Sequence, residues 1–152
     1  FIATLGYTWI AMYSPAQIKR FLLPRMKRMM DLVHSAGAYV FFHSDGAIRK
    51  ILPEMIEIGI DVLNPLQWRC KDMALDRLYR DFSTIKFHGG VDNQQTIPFG
   101  IPADVKKEVI DNLNILGKEG KYILAPCHNI QPVTPVENII ALYETGYAYG
   151  WY

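Results

Sequence analysis

The sequence predicts an α/β protein built from parallel strands and the helices that connect them. Three apolar segments each end in a histidine, and turn residues and then a helical pattern follow each one. The histidines are His43, His88 and His128, and they are three of only four in the chain. Strand, polar residue, turn and helix is the order in which α/β proteins build a site at the carboxyl edge of a sheet.

Four such β–α units can be placed along the chain. The apolar segments lack alternation, which is typical of parallel strands covered on both faces. Capping boxes at Ser14 and Thr134 indicate helix starts, Pro24 is expected to kink or divide the first helix, and residues 91–101 are expected to form an irregular loop. The predicted strands are 38–43, 60–66, 84–88 and 122–126, and the predicted helices are 14–37, 47–58, 72–82, 103–116 and 134–143.

Two architectures fit these units, an open doubly wound sheet and a (β/α)8 barrel. No dinucleotide-binding glycine motif follows a strand, which disfavours the first. A barrel closes with about eight strands, so residues 1–152 form one domain that is half of a barrel. The other half must come from further sequence or from a second copy. Because the chain begins at Phe1 within an apolar segment, we expect it to be part of a longer product.

Composition excludes several classes of protein. Half of the 152 residues are hydrophobic and the formal net charge is +1, so neither a basic nucleic-acid surface nor a membrane span of about 20 apolar residues is present in the sequence. Two cysteines make no disulfide framework, and with no signal peptide the cytoplasm is the expected location. Motifs for serine hydrolases, P-loop proteins, HExxH metalloproteases and CxxC redox proteins are absent.

His43 and Asp45 are the first candidate site residues. Residues two apart in an extended segment point the same way, so the imidazole and the carboxylate can meet one ligand. The pair suits a divalent metal or acid–base chemistry. In the alternative interpretation, Asp45 only caps the next helix and His43 only hydrogen-bonds a neighbour.

Further candidates follow the other strands. His128 lies at the matching edge of the last strand, and Cys127 beside it is either a soft metal ligand or a small buried residue. His88 precedes Gly89 and Gly90, which either admit a phosphate or substrate or simply make a turn. The remaining candidates for substrate binding are Asp92, which could instead orient a histidine or cap a helix, and the loop amides Gln67 and Gln94.

Several of these segments, in this order and with this spacing, resemble one known group of enzymes. The segments are His43-Ser-Asp-Gly46, Gly59-Ile-Asp-Val-Leu-Asn-Pro-Leu-Gln67, Gly89-Gly-Val-Asp-Asn-Gln94, Pro126-Cys-His-Asn-Ile-Gln131 and Thr134-Pro-Val-Glu-Asn138. Together they resemble the carboxyl-terminal half of the uroporphyrinogen decarboxylase superfamily. The resemblance implies a (β/α)8 barrel.

It also implies two chemistries. One branch transfers methyl groups between small substrates, thiols and corrinoid proteins with the help of zinc. Its His-x-Cys motif resembles His43-Ser-Asp45, and its second cysteine falls at His128. We therefore expect His43, Asp45 and His128, possibly with Cys127, to hold zinc or another divalent ion in a methyltransferase that uses a corrinoid partner.

The other branch decarboxylates uroporphyrinogen without a cofactor. There the catalytic residues Asp45 and His128 would bind pyrrole N–H and carboxylate groups. Such a substrate needs many cations, of which Arg49, Lys50, Arg69 and Lys71 are available near the mouth. A third, non-enzymatic hypothesis is a half-barrel that is inactive by itself and functions only when it pairs with another chain.

Overall fold

The computed structural model describes residues 13–151 and contains one four-stranded parallel sheet. Residues 1–12, including the apolar segment at Phe1, and residue 152 lie outside this described part. The strands are β1 (Phe41–His43), β2 (Val62–Asn64), β3 (Lys86–Val91) and β4 (Tyr122–Pro126). Their spatial order is β1-β2-β3-β4, the same as their order along the chain.

This strand order distinguishes the two predicted architectures. A doubly wound sheet reverses its strand order at a switch point, whereas the strands of a (β/α)8 barrel follow one another in sequence. The observed order, with every pair parallel, therefore agrees with half of a barrel. Within the described residues, β1 and β4 are the two edges of the sheet.

Six helices accompany the strands in residues 13–151. Helix α1 has three consecutive segments, Pro15–Gln17, a π-helical turn Ile18–Leu22, and Leu23–Ser35. Helix α2 opens as the 3-10 turn Arg49–Ile51 and continues as Leu52–Glu57. The others are α3 (Leu75–Asp81), α4 (Thr96–Phe99), α5 (Pro102–Leu116) and α6 (Val136–Tyr149), with a 3-10 turn at Lys118–Gly120 before β4. No helix among the described residues is long and apolar enough to cross a membrane.

The start of α1 confirms the first predicted capping box. The Gln17 N–H donates to Ser14 Oγ at 3.2 Å, and the Ser14 N–H donates to Gln17 Oε1 at 3.2 Å. Pro24 lies inside the helix without ending it. Because proline has no N–H for the preceding turn, the π-helical turn just before the last segment fits the absence of that donor.

Two local predictions were wrong. The predicted capping box at Thr134 does not form, because α6 begins after Pro135 and no side chain caps it. The predicted loop 91–101 contains the short helix α4, in which Ile97 and Pro98 are buried. Pro98 led us to expect no helix there. In the first turn of a helix, however, the backbone N–H groups have no helical partner, so a proline without an N–H is tolerated.

The two faces of the sheet differ in how they are covered. Phe42, Leu63 and Phe87 lie in register on one face, fully buried in the core with residues of α2 and α5 such as Met55 and Val109. On the opposite face, Phe41 and Ile123 are each 42% exposed. This second face corresponds to the interior of the barrel.

Candidate functional site

The open face carries a polar row across three neighbouring strands. His43 at the end of β1 lies in register with Asn64 at the end of β2, and His88 follows on β3. His43 Nδ1 and Asn64 Oδ1 are 2.6 Å apart, and Asn64 Nδ2 and His88 Nδ1 are 2.5 Å apart. One amide therefore joins two imidazoles, and the strand register brings all three side chains together.

The amide fixes where the two rings carry their protons. Asn64 Oδ1 can only accept, so His43 must donate from Nδ1. Asn64 Nδ2 can only donate, so His88 Nδ1 accepts and its proton sits on Nε2. The His88 ring also makes an edge contact with the Phe41 ring, with centroids 4.9 Å apart. Burial lowers the pKa of His88 and favours the neutral ring.

Asp45 extends this row beyond β1. Its Oδ2 lies 3.1 Å from His43 Nε2, so this nitrogen donates to the carboxylate when the ring carries a second proton in addition to the one on Nδ1. The other carboxylate oxygen, Oδ1, is buried and has no hydrogen-bond partner within residues 13–151. An unpaired buried carboxylate oxygen is costly, which favours a ligand, water or proton at this point.

Gln67 holds the loop that carries Asp45. The N–H of Gly46 donates to Gln67 Oε1 at 2.7 Å, which links the loop after β1 to the loop after β2. Sequence reasoning assigned the Gln67 amide to substrate binding, and in the structure its oxygen serves this backbone contact. Gln67 thus positions Asp45.

The predicted metal ligands are only partly brought together. His43 and Asp45 are neighbours, but no group of three or more His, Cys, Asp or Glu side chains in residues 13–151 is arranged to hold a metal ion. The strand order gives the reason. His43 and His128 follow strands at opposite edges of the sheet, three strand spacings or about 14 Å apart.

Cys127 is turned away from any shared site. Its thiol is buried and donates to the Leu66 carbonyl oxygen at 3.0 Å. Burial raises the pKa of this thiol to about 12, so a thiolate ligand is disfavoured. These surroundings agree with the alternative role of Cys127 as a small buried residue, and its role as a metal ligand stays a prediction. His128 beside it is exposed.

The two glycines after His88 belong to β3 rather than to a turn. Gly89 has φ +105° and Gly90 has φ +88°. The carbonyl oxygens of Gly89 and Gly90 accept from Tyr122 Oη at 2.5 Å and from Asn112 Nδ2 at 2.8 Å. A Cβ at Gly90 would lie 3.1 Å from Tyr122 Oη. The glycines therefore allow close packing against β4 and α5.

Asp92 and Gln94 differ in their surroundings. Asp92 is buried, forms an ion pair with Arg69, and accepts from the Gln94 N–H at 2.8 Å. Its N–H donates to Glu108 Oε1 at 2.6 Å. Gln94 itself is exposed. Asp92 thus holds its own loop, and its carboxylate is already neutralised by Arg69.

A cleft lies beside Arg69 and Glu108, between α3 and α5. Its volume is about 710 Å³, and its lining includes Trp68, Arg69, Thr96 and Glu108. Burial raises the pKa of Glu108, although hydrogen bonds from Thr96, Asp92 and Trp68 oppose the rise. Sequence reasoning did not find this cleft, because it forms between helices that are separated along the chain.

Sequence reasoning also missed Asn64, although its signal was visible. Asn64 ends the apolar segment Val62–Asn64 in the same way that His43 ends Phe41–His43. A polar residue that ends a buried parallel strand deserves the same weight whether it is an amide or an imidazole.

Two of the four cations expected near the site, Arg49 and Arg69, are paired with carboxylates. Arg69 pairs with Asp92 and donates to Thr96 Oγ1 at 3.2 Å, while Arg49 pairs with Asp81. Neither arginine joins the row formed by His43, Asn64 and His88. The row itself therefore contains no arginine or lysine, and its one carboxylate is that of Asp45 beside His43.

Fold and site together define a class of protein: a parallel α/β protein with polar side chains at the carboxyl ends of its strands. The chain belongs to the uroporphyrinogen decarboxylase family, whose model matches residues 2–149.

Curated relatives and one solved structure extend this assignment. Uroporphyrinogen decarboxylase from Parasynechococcus marenigrum (strain WH8102) is 32% identical over 91% of this chain, and that from Anaeromyxobacter sp. (strain Fw109-5) is 25% identical over 98%. The chain spans only about two fifths of the length of such relatives, 38% and 41% respectively. A methyltransferase from Methanosarcina mazei is 25% identical, with a TM-score of 0.71 over 90% of this chain and 38% of its own.

Proposed function

We propose that this chain supplies half of the active site of an enzyme that transfers a methyl group from a small methylated substrate to a thiol or a corrinoid protein. The observation that carries the proposal is the His43–Asp45 pair in a row without arginine or lysine, with a carboxylate oxygen that has no partner within residues 13–151. The methyltransferase from Methanosarcina mazei supports it as a structural relative. That the methyl acceptor is a thiol or a corrinoid protein is likewise proposed here.

His43 has a defined role in this reaction. When the bond between a methyl carbon and a heteroatom breaks, the electron pair stays on the heteroatom, which then needs a proton. In its doubly protonated form, His43 would hold such a proton on Nε2 against Asp45 Oδ2 while Nδ1 donates to Asn64. Proton donation to the leaving atom by a positioned imidazole is general acid catalysis. Asn64 fixes the orientation of the ring during the transfer.

A divalent ion does not fit the full set of residues expected to hold it. His43 and Asp45 offer two donors, His128 follows the opposite edge strand, and the Cys127 thiol is turned inward. Zinc thus stays a prediction. Metal analysis of the purified full-length protein and of its Asp45→Asn variant tests it. A stoichiometric ion that the variant loses would support the predicted centre.

Uroporphyrinogen decarboxylation is the second candidate. The names of the curated relatives favour it. The charges at the row disfavour it, because a substrate with many carboxylates needs cations, and neither Arg49 nor Arg69 joins the row. In this reaction Asp45 would bind pyrrole N–H groups without an ion.

One experiment separates the two candidates. The full-length protein is incubated with O-, N- and S-methylated compounds together with a thiol or a corrinoid acceptor, and separately with uroporphyrinogen. If the protein is a methyltransferase, we expect a methylated acceptor and a demethylated donor as products. Formation of coproporphyrinogen without any methylated acceptor would overturn the proposal in favour of the decarboxylase.

A further inference from the structure

A groove with a strongly cationic lining lies between the beginning of α2 and helix α3. Its volume is about 490 Å³. Four cations line it, Arg49 and Lys50 from α2 and Arg77 and Arg80 from α3, together with the single carboxylate of Asp72. The groove shares no lining residue with the row of His43, Asn64 and His88.

This concentration of charge is not a by-product of composition. The chain as a whole carries a formal net charge of only +1. Asp81 next to the groove pairs with both Arg49 and Arg80. Lys50 and Arg77 have no ion pair with any carboxylate in residues 13–151. Two cations of the groove are thus without an ion-pair partner among residues 13–151, although the Asp72 carboxylate lines the same groove.

The guanidinium of Arg49 is held in place by an ion pair and a ring contact. One of its terminal nitrogens, Nη2, pairs with Asp81, and its guanidinium lies over the Phe82 ring at 5.1 Å from the centroid. The other terminal nitrogen, Nη1, is buried and has no hydrogen-bond partner within residues 13–151. A guanidinium held in this way beside the groove is well suited to an oxyanion, because its planar fork matches carboxylate and phosphate oxygens.

We propose that this groove binds a small, multiply charged oxyanion of the phosphate-ester or pyrophosphate class. Two unpaired cations, Lys50 and Arg77, beside the held guanidinium of Arg49 match a ligand with several anionic oxygens better than a single carboxylate. Pro53 and Phe82 give the groove an apolar part that can contact the remainder of such a ligand. The site is independent of the proposed methyl transfer.

Calorimetric titration of the full-length protein with pyrophosphate, at constant ionic strength, tests the proposal. We expect saturable binding that the double variant Lys50→Gln/Arg77→Gln weakens by about tenfold or more, since charge-assisted hydrogen bonds are the strong ones. Both side chains are exposed, so thermal unfolding should show that the variant stays folded.

The matched control is Arg28→Gln/Lys118→Gln. It removes the same charge from exposed positions outside the groove and should change the affinity by less than about twofold. An equal loss in both double variants would reveal unspecific attraction and overturn the proposal. The absence of saturable binding of pyrophosphate to the unaltered protein would overturn it as well.

Discussion

At the scale of single residues, Asn64 has the most far-reaching contacts of the site. It bonds to a histidine on each side, so the protonated nitrogens of His43 and His88 depend on one amide. Asp45 then adds a carboxylate at the end of the row. Four residues from three strands and one loop therefore form a single hydrogen-bonded unit.

The first prediction concerns His43. Replacing His43 by Gln keeps a polar side chain of similar length but removes the group that exchanges a proton. We expect the turnover of the full-length protein to fall by a factor on the order of 10² to 10⁴, the usual contribution of a general acid. Steady-state kinetics measures the loss, with the O-, N- or S-methylated compound that the full-length protein demethylates.

The matched control is His34→Gln. His34 bonds to Asp61 at 2.8 Å, and Asp61 directly precedes β2, so this histidine has a structural partner and no place in the row. Its replacement should leave turnover within about twofold. Equal losses in the two variants would contradict a chemical role for His43.

The second prediction follows from the lowered pKa of His88. The unfolded chain takes up a proton near the ordinary histidine pKa of about 6.5, whereas the folded chain resists it. Stability is therefore fully present above this pH and is lost as the pH falls through the lower, folded pKa. Urea unfolding between mildly acidic and neutral pH should show this slope.

The variant His88→Gln isolates the effect. It cannot titrate, so the part of the slope that belongs to His88 should disappear. If the variant and the unaltered protein lose stability in parallel as the pH falls, burial of His88 is not the cause.

At the scale of elements, strand β3 shows how backbone and packing are joined. Its two glycines lie at positive φ, next to Tyr122 and Asn112. The Gly90→Ala variant should lower the free energy of unfolding by about 2–4 kcal/mol, from left-handed strain and from crowding. Chemical denaturation measures the change.

Gly37→Ala is the matched control. Gly37 also has a positive φ of +70°, but a Cβ there would meet no atom within 4 Å. Only the strain of about 1–2 kcal/mol should then appear. A Gly90→Ala variant no less stable than Gly37→Ala would rule out crowding at β3.

The same elements show what sequence can and cannot reveal. Apolar runs located all four strands, and the i, i+2 spacing of His43 and Asp45 predicted that they would meet. The pairing of Asn64 with two histidines depends on strand register, which periodicity does not contain. Likewise, spacing along the chain could not show that His43 and His128 lie at opposite edges.

At the scale of the whole molecule, residues 13–151 cover the sheet on one face only. Phe41 and Ile123 are exposed on the inner face, and β1 and β4 are edges of the described sheet. Apolar surface and unpaired strand edges favour association. We predict that a polypeptide of these 152 residues alone self-associates, as light scattering after size exclusion would show.

The variant Ile123→Asp tests the cause of this association. A charge on the exposed inner face should reduce the associated fraction, whereas Ile140→Asp, on an exposed position of α6, should have a smaller effect. A monodisperse, stable monomer of the unaltered polypeptide would contradict the need for a partner half.

The contact between Gln67 and Gly46 has a practical consequence for engineering this fold. It makes two successive loops behave as one mechanical piece, since the backbone beside Asp45 is anchored to a side chain from the neighbouring unit. Anyone grafting a new segment after β2 to alter selectivity must therefore carry the glutamine across. Without this glutamine, the backbone at Gly46 would lose its anchor, and Asp45 would no longer be held in position.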